Sequence, residues 1–574
     1  MCRKTTNRER AEQEADRIEG IIIQTLQAGK NFRVEAGAGS GKTYSLINVI
    51  DWIQKNKWAY YQKRRQNVIC ITYTNAAVEV ISKRLKDESF IIPSTIHSFA
   101  WNAIKQYQSF LLSIVKKNES YYPQEGKIED VKEVQYALGH RYIENDILYL
   151  YHDDVIALFS ELLDNKKFRT IFTSKYPLIL IDEYQDSFKR IIDKFLLYFI
   201  IPNYGCQFGF FGDSWQTIYQ SQDACGLIEH ENIVEIKKGV NFRSAPAIVN
   251  MLNKIRYDLP QISAIDDMDG EAIVVTCNDY KGERRTDRYF KGDLPIEILR
   301  GRINNLNDIF KKQLQECETN KTLMITHKVL ATQQGYEILL DELGDKLKDK
   351  EDPVLLFFMN TVEPIYNALL NSDMVLLFET LGVKQYPITK RAQKRQWQQF
   401  MIDMTECRSK AAYDVLKMTV QSGLVPIPNE IENVLLNYAN KPNELYKKRT
   451  IKEFLEIPYN QFLSAINFLY PESEFSTEHG VKGEEYDNVI FSITRGWTHY
   501  QFEKYMPMIF DQIPEDQMAS FIRNRNLFYV CCSRPRKRLI IFVSIYVDTK
   551  FENFLKYLVG EKNYYTYSDF IKKK

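Results

Sequence analysis

A chain of 574 residues, 44% hydrophobic and 26% charged, is long enough for several packed units and needs no disulfide staple. Its net charge of +1 excludes a uniformly basic nucleic-acid binder, but not a protein that grips phosphates in one local groove. The charged N-terminus lacks a signal-peptide core, no run approaches about 18 apolar residues free of charge, and the 9 cysteines match no zinc-ligand spacing. A cytoplasmic protein without a membrane span is expected.

The first apolar run, NFRVEA at 31–36, reads as a buried strand. AGAGSGKT follows it at Ala36–Thr43, and the amphipathic YSLINVIDWIQ comes next. A strand, a glycine-rich turn and a helix start in that order are the context a phosphate-binding loop requires. Ala36, Gly37, Ala38, Gly39, Ser40 and Gly41 supply a backbone that can turn its N–H groups toward phosphate. Lys42 is placed to reach the β- and γ-phosphates and Thr43 to hold Mg²⁺, so ATP and Mg²⁺ are the expected cofactors. A second strand is expected at 67–72. Residues 101–165 are rich in Tyr, Leu and charge, with no β-rich run, and are expected to be helical.

LILID at 178–182 is a third strand and runs into DEYQD. Asp182 at its end is the expected second Mg²⁺ ligand, and Glu183 the general base for an attacking water. A further strand follows at 207–213. Strands at 272–277, 322–327, 488–494 and 539–545 repeat the pattern, with a helical stretch at 345–470 between them. Strands alternating with helices predict an α/β fold with two parallel-sheet cores, each carrying a mainly helical insertion. Cys531 and Cys532 lie in an apolar run and are expected to be buried as small hydrophobes.

With DEYQD in place, the chain resembles the UvrD/Rep-like group of superfamily 1A helicases, whose usual form is DEFQD. ITYTNAAVEVISKRL (71–85) looks like motif Ia, STIHSFA (94–100) like Ib, and FGDSWQTIYQ (211–220) like III. HDDVI (152–156) matches the acidic segment that precedes the Walker B strand. VNFRS (240–244) looks like motif IV, STEHGVKGEEYDNV (476–489) like V and NLFYVCCSRPR (526–536) like VI. The resemblance implies two RecA-like P-loop domains: 1A at 1–100 and 166–250 with insertion 1B at 101–165, and 2A at 251–344 and 471–574 with insertion 2B at 345–470.

The resemblance also implies roles. Gln216 senses the γ-phosphate, Arg243 and Arg534 act as arginine fingers from the second core, and Phe242 stacks on adenine. Glu485 meets the ribose or an arginine finger. Gln13 and Gln24 are both open as the adenine-reading glutamine. Tyr73, Thr95, His97, Phe99, Tyr219, Thr477 and His479 are the matched DNA contacts. Motif III departs from the family: Ser221 and Gln222 stand where an aromatic and an arginine are usual, with Trp215 just upstream as a substitute stacking ring. Motif VI opens RNRN (523–526), and Glu484 replaces a usual Leu. KRAQKRQW (390–397) reads as a solvated basic helix face, with duplex DNA or a partner as the alternative. The implied activity is ATP-driven 3′→5′ movement on single-stranded DNA and unwinding of tailed duplexes, in repair or in anti-phage defence beside a partner nuclease, as in Gabija-type systems. The alternative is a DNA-gated ATPase that regulates a partner and unwinds weakly.

Overall fold

A computed structural model describes residues 6–574 apart from 73, 86–88, 124–126, 138–140, 219–223, 267, 314–317, 325–326, 349, 384–389, 471–472, 478–481 and 497–498. Helix α1 (Asn7–Gln27) leads into β1 (Asn31–Ala36), and α2 (Lys42–Arg64) leaves the loop after it. The strands β2 (Val68–Thr72) and β3 (Ile91–Thr95) follow. Next come β4 (Glu133–Tyr136), β5 (Tyr142–Glu144) and β6 (Ile147–Leu150), then β7 (Leu178–Asp182), β8 (Gln207–Gly212) and β9 (Ile233–Lys238).

The first sheet has the order β3-β2-β7-β8-β1-β9, with every pairing parallel. The strands β1, β2 and β7 are buried along their whole length, as expected where helices cover both faces. The C-terminal ends of β1 and β7 therefore open on the same edge, where ligands of such sheets bind.

The strands β4, β5 and β6 form a separate three-stranded sheet, so the stretch at 101–165 is not purely helical as expected. The strands are only three or four residues long, too short for alternation to stand out in the sequence. Val134, Leu148 and Leu150 are the residues they bury.

A short parallel pair, β10 (Val240–Asn241) and β11 (Ile262–Ser263), lies between the cores. The second sheet comprises β12 (Glu271–Thr276), β13 (Asn320–Met324), β14 (Phe475–Thr477), β15 (Tyr486–Ile493), β16 (Pro535–Val543) and β17 (Tyr564–Thr566). Its order is β14-β13-β15-β16-β12-β17, again with all pairings parallel. Between β13 and β14 the described residues hold helices and no strand. One of these stretches, Pro353–Asn371, is long and apolar enough to cross a membrane by composition. Val354, Leu355, Phe358, Val362 and Ile365 in it are buried in the core of the second half.

The two cores share apolar packing. Ala38, Trp215 and Ile218 from the first join Ile248, Leu252, Val274 and Tyr529 of the second in one cluster. Cys531 and Cys532 are fully buried there, as expected.

Candidate active site

The phosphate-loop sequence occupies the turn between β1 and α2. Gly39 (φ +72°) and Gly41 (φ +75°) take left-handed backbone that side chains disfavour, and Gly41 caps α2. Gly37 and Gly39 are also tightly packed, against Gln261 and Arg243 respectively. A Cβ on Gly37 would lie 2.5 Å from the Gln261 amide, and one on Gly39 would lie 2.7 Å from the Arg243 Cβ. The loop is held from that side by hydrogen bonds. Asn241 Nδ2 and Gln261 Nε2 each donate to the Ala38 carbonyl at 3.0 Å, Phe242 N donates to the Gly39 carbonyl at 2.8 Å, and Ala38 N donates to Tyr529 Oη at 3.0 Å.

Asp182 ends β7, buried, and Glu183 follows with φ +47°. A non-glycine residue in that region stores strain of about 1–3 kcal/mol and marks a turn the surroundings enforce. The turn brings Glu183 Oε2 to 3.2 Å from Lys42 Nζ, and Gln185 Nε2 donates to the same oxygen at 2.7 Å. Gln185 and Tyr184 fit only because residue 212 is glycine: a Cβ there would lie 2.3 Å from Gln185 Oε1.

Burial and the Glu183 charge push the Asp182 carboxyl up from the usual range. Burial would raise Glu183 too, but Lys42 and Lys482 outweigh it and hold Glu183 below that range. Burial opposes the Lys42 charge, yet Glu183, Asp213 and Asp182 overcome it and raise the ammonium. Neighbouring acids are thus pushed apart, one easily protonated and one firmly ionised, which is the condition for dividing acid and base roles.

Opposite stand cations of the second core, across a cavity of about 680 Å³. Arg534 is 1% exposed, and among the described residues no carboxylate lies within ion-pair distance of it. Its Nε donates to the Val530 carbonyl at 2.9 Å, Nη1 to the Glu484 carbonyl at 3.1 Å, and Nη2 to Ser533 Oγ at 2.9 Å and Gln216 Oε1 at 3.4 Å. Burial and the neighbouring Arg243 pull its guanidinium down to about 9. A buried cation facing a cavity in this way is matched by an anion entering the cavity. Arg243 Nε lies 2.8 Å from Glu485 Oε2, and Arg536 pairs with the other oxygen of Glu485.

Gln216 is buried between the cores. Its Nε2 donates to Asp213 Oδ2 at 2.8 Å, and its carbonyl accepts from Lys482 Nζ at 2.6 Å. Lys482 also pairs with Asp186 of the DEYQD segment. Phe242 is 44% exposed in the cavity, beside Ile265 and Met268, and so is not a core residue. Thr43 and Asp182 both line the cavity. A hydroxyl and a carboxylate are hard oxygen donors that suit Mg²⁺, and the buried Ser40 Oγ and Asp186 Oδ1 lack partners among the described residues. The donor set fits a polyphosphate with a hydrated Mg²⁺.

Gln13 and Gln24 are exposed on α1 and line no part of the cavity. Lys482, Gln261 and Tyr529 are site residues that sequence reasoning missed. Lys482 had a signal in the KG pair of motif V, Tyr529 sat unremarked in motif VI, and Gln261 had none.

The expected DNA contacts are only partly placed. Tyr73, Tyr219 and His479 lie outside the described residues. Thr95 caps the helix Ile96–Ile104, accepting from Ser98 N, and is partly exposed. His97 packs its ring 4.6 Å from His152 and 5.4 Å from Phe188, and burial with His152 lowers its affinity for a proton. Thr477 ends β14, partly exposed. Phe99 is corrected: it is 3% exposed and packs edge-on against Phe159, Phe172 and Tyr176, because helical spacing sets it beside Ala100 and Ala103 on the inner face. Trp215 is corrected as well. It is buried against Arg256 and Arg525 and offers no face to a base. Trp397 points into the core, while Arg391, Lys394 and Arg395 are exposed, the solvated-face arrangement.

Residues 19–222 match the family described as an AAA domain. The chain is 23% identical to the Gabija protein GajB of Bacillus cereus strain HuB5-5, over 94% of this chain and 96% of that one. The GajB of strain VD045 is likewise 23% identical, over 94% and 97%. The ATP-dependent DNA helicase Rep of Buchnera aphidicola subsp. Acyrthosiphon pisum is 25% identical over 38% of this chain and 42% of its own length. Paired parallel sheets with a phosphate loop on the first, and likeness to both GajB and Rep, support a superfamily 1 helicase.

Proposed function

We propose that the chain is an ATP-hydrolysing motor that moves 3′→5′ along single-stranded DNA and separates duplex DNA from a tail. The observation that carries this reading is the two-sided cavity. The phosphate loop and the Asp182–Glu183 pair form one wall, and Lys482 and Arg534 of the second core, with Arg243 just past β10 between the cores, face them. A site split between two cores is one whose chemistry depends on how they sit together, which is what a motor requires.

Lys42 exchanges Glu183 for a phosphate oxygen, and the freed Glu183 takes the proton of the attacking water. Arg534 and Arg243 neutralise charge developing on the transferred group. Thr43 and Asp182 hold Mg²⁺, which when bound supplies charge neutralisation on the phosphates. Phe242 stacks on the base. Thr95, His97 and Thr477, with Tyr73, Tyr219 and His479, contact the strand. Likeness to the Gabija proteins along nearly the whole chain supports a cytoplasmic role in defence beside a partner nuclease, in preference to repair.

A second reading, a DNA-gated ATPase that unwinds weakly, is favoured by the burial of Phe99 and Trp215, which removes two stacking rings from the expected strand path. The test is ATP turnover with and without single-stranded DNA, beside displacement from duplexes with a 3′ or a 5′ tail. Stimulated turnover with displacement on the 3′ tail alone supports the motor. Stimulation without displacement supports the gated ATPase. Turnover indifferent to DNA overturns both.

A further inference from the structure

β1 and β8 are neighbours in the first sheet, and each carries an acid at or just past its C-terminal end. Glu35 is 3% exposed and Asp213 is fully buried. Two such carboxylates are tolerated only beside a cation. Arg33 on β1 lies 3.7 Å from Glu35, and the cation that meets both acids comes from the other core. Arg256 ends the helix Pro246–Ile255, whose Ile248 and Leu252 pack in the second core, and it is itself buried. Its Nη2 lies 2.9 Å from Glu35 Oε1, and its Nη1 pairs with Asp213 Oδ1. The guanidinium sits between Trp215 and Tyr529, 5.3 and 5.5 Å from their ring centres, and Arg525 stacks on Trp215 at 3.7 Å.

Each partner of Arg256 holds a different piece of the active site. Glu35 accepts from the Tyr184 hydroxyl at 2.6 Å, and Tyr184 directly follows Glu183. This hydroxyl exists only because Tyr184 stands where the resembled motif has Phe. Glu35 also accepts from Ser214 N at 2.9 Å and Ser214 Oγ at 2.7 Å. Burial would raise Glu35, but Arg256 and these donors keep it below the usual carboxylate range, so it is an anion. Asp213 accepts from Gln216, which faces Arg534, and Tyr529 accepts the Ala38 N–H of the phosphate loop. Arg256 does not itself line the cavity.

We propose that Arg256 is a positioning residue for hydrolysis: by joining Glu35 and Asp213 across the cores, it sets Gln216 and Arg534 opposite the phosphate loop. This rests on the reading of the cavity as an ATPase site. A lysine keeps the charge but cannot bridge two acids with a planar fork, so Arg256→Lys loosens the geometry while leaving the acids paired with a cation. Tyr184→Phe removes one hydroxyl from Glu35 and nothing else.

The experiment compares the full chain with Arg256→Lys and Tyr184→Phe. It measures kcat and KM for ATP, equilibrium binding of a non-hydrolysable ATP analogue with Mg²⁺, and amide hydrogen exchange without nucleotide. The expected result for Arg256→Lys is analogue binding within about threefold of the parent, kcat lower by tenfold or more, and faster exchange at Ala38 and Ser214–Gln216. Tyr184→Phe, which keeps the buried ring, should lose two- to fivefold in kcat with binding unchanged. Folded variants with parental kcat and parental exchange overturn the proposal, as does a loss of analogue binding that parallels kcat. If the parent chain binds the analogue but hydrolyses no ATP, the ATPase reading fails. The exchange at Ala38 and Ser214–Gln216 then still decides whether Arg256 positions these segments.

Discussion

Replacing Arg534 by Ala separates catalysis from folding. The guanidinium is buried and makes four hydrogen bonds to neutral groups, with no carboxylate in ion-pair distance among the described residues. Losing four such bonds costs about 1 kcal/mol each. Removing a buried charge that lacks a counter-ion returns a penalty on the order of several kcal/mol. The two nearly cancel, so the melting temperature of Arg534→Ala should stay within a few degrees of the parent. Transition-state stabilisation has no such compensation. An arginine that meets the transferred phosphoryl group is worth about 10³–10⁵ in rate, or about 4–7 kcal/mol of barrier. The assay is steady-state ATP turnover on single-stranded DNA, with thermal denaturation and fluorescent-nucleotide binding on the same preparations. Turnover should fall at least about a thousandfold while nucleotide binding persists. Turnover within threefold of the parent, or a loss of activity that follows a loss of fold, would refute the assignment.

Lys42→Ala should abolish turnover, and normal hydrolysis in that variant would overturn the placement of the phosphate site. Phe242→Ala removes about 1 kcal/mol or more of base stacking, so KM for ATP should rise at least about fivefold with kcat nearly unchanged; an unchanged KM sinks the stacking role. Phe99→Ala should cost about 3–5 kcal/mol of stability, while Phe99→Leu leaves DNA affinity intact; weakened DNA binding at parental stability would return Phe99 to the strand path. Asp182 is raised by burial and by Glu183, so the native state keeps a proton that the unfolded chain has already lost. The stability this adds is present at low pH and is lost as pH rises through the raised value. Mg²⁺ must displace the same proton, so Mg²⁺-dependent analogue binding should weaken as pH falls, by up to about tenfold per unit. Glu183→Gln removes a cause of the shift and should flatten this dependence; an equally steep profile would disprove the coupling.

Much of the site was legible because its chemistry is local. The phosphate loop needs glycine at the left-handed turns Gly39 and Gly41, a lysine after them and a helix start, all within eight residues. Asp182 and Glu183 were found because a strand end delivers them together. The parallel cores were legible because buried strands are short, apolar and bounded. Side-chain direction was not legible. Phe99 and Trp215 sit inside motifs that suggest a nucleic-acid surface, and whether an aromatic faces a base or the core depends on what packs beside it. Tyr73, Tyr219 and His479 fall outside the described residues. The pairings that organise the cleft are longer in range still. Arg256 meets Glu35 across 221 residues, Tyr529 reaches Ala38 across 491, and Gln261 reaches the same loop across 223. Residue spacing carries no sign of such partners, because they become neighbours only when two separately formed sheets close on each other. The chain's own pattern determined where the glycine-rich loop, its lysine and the paired acids stand; the docking of the cores decided which arginines, lysines and glutamines surround them.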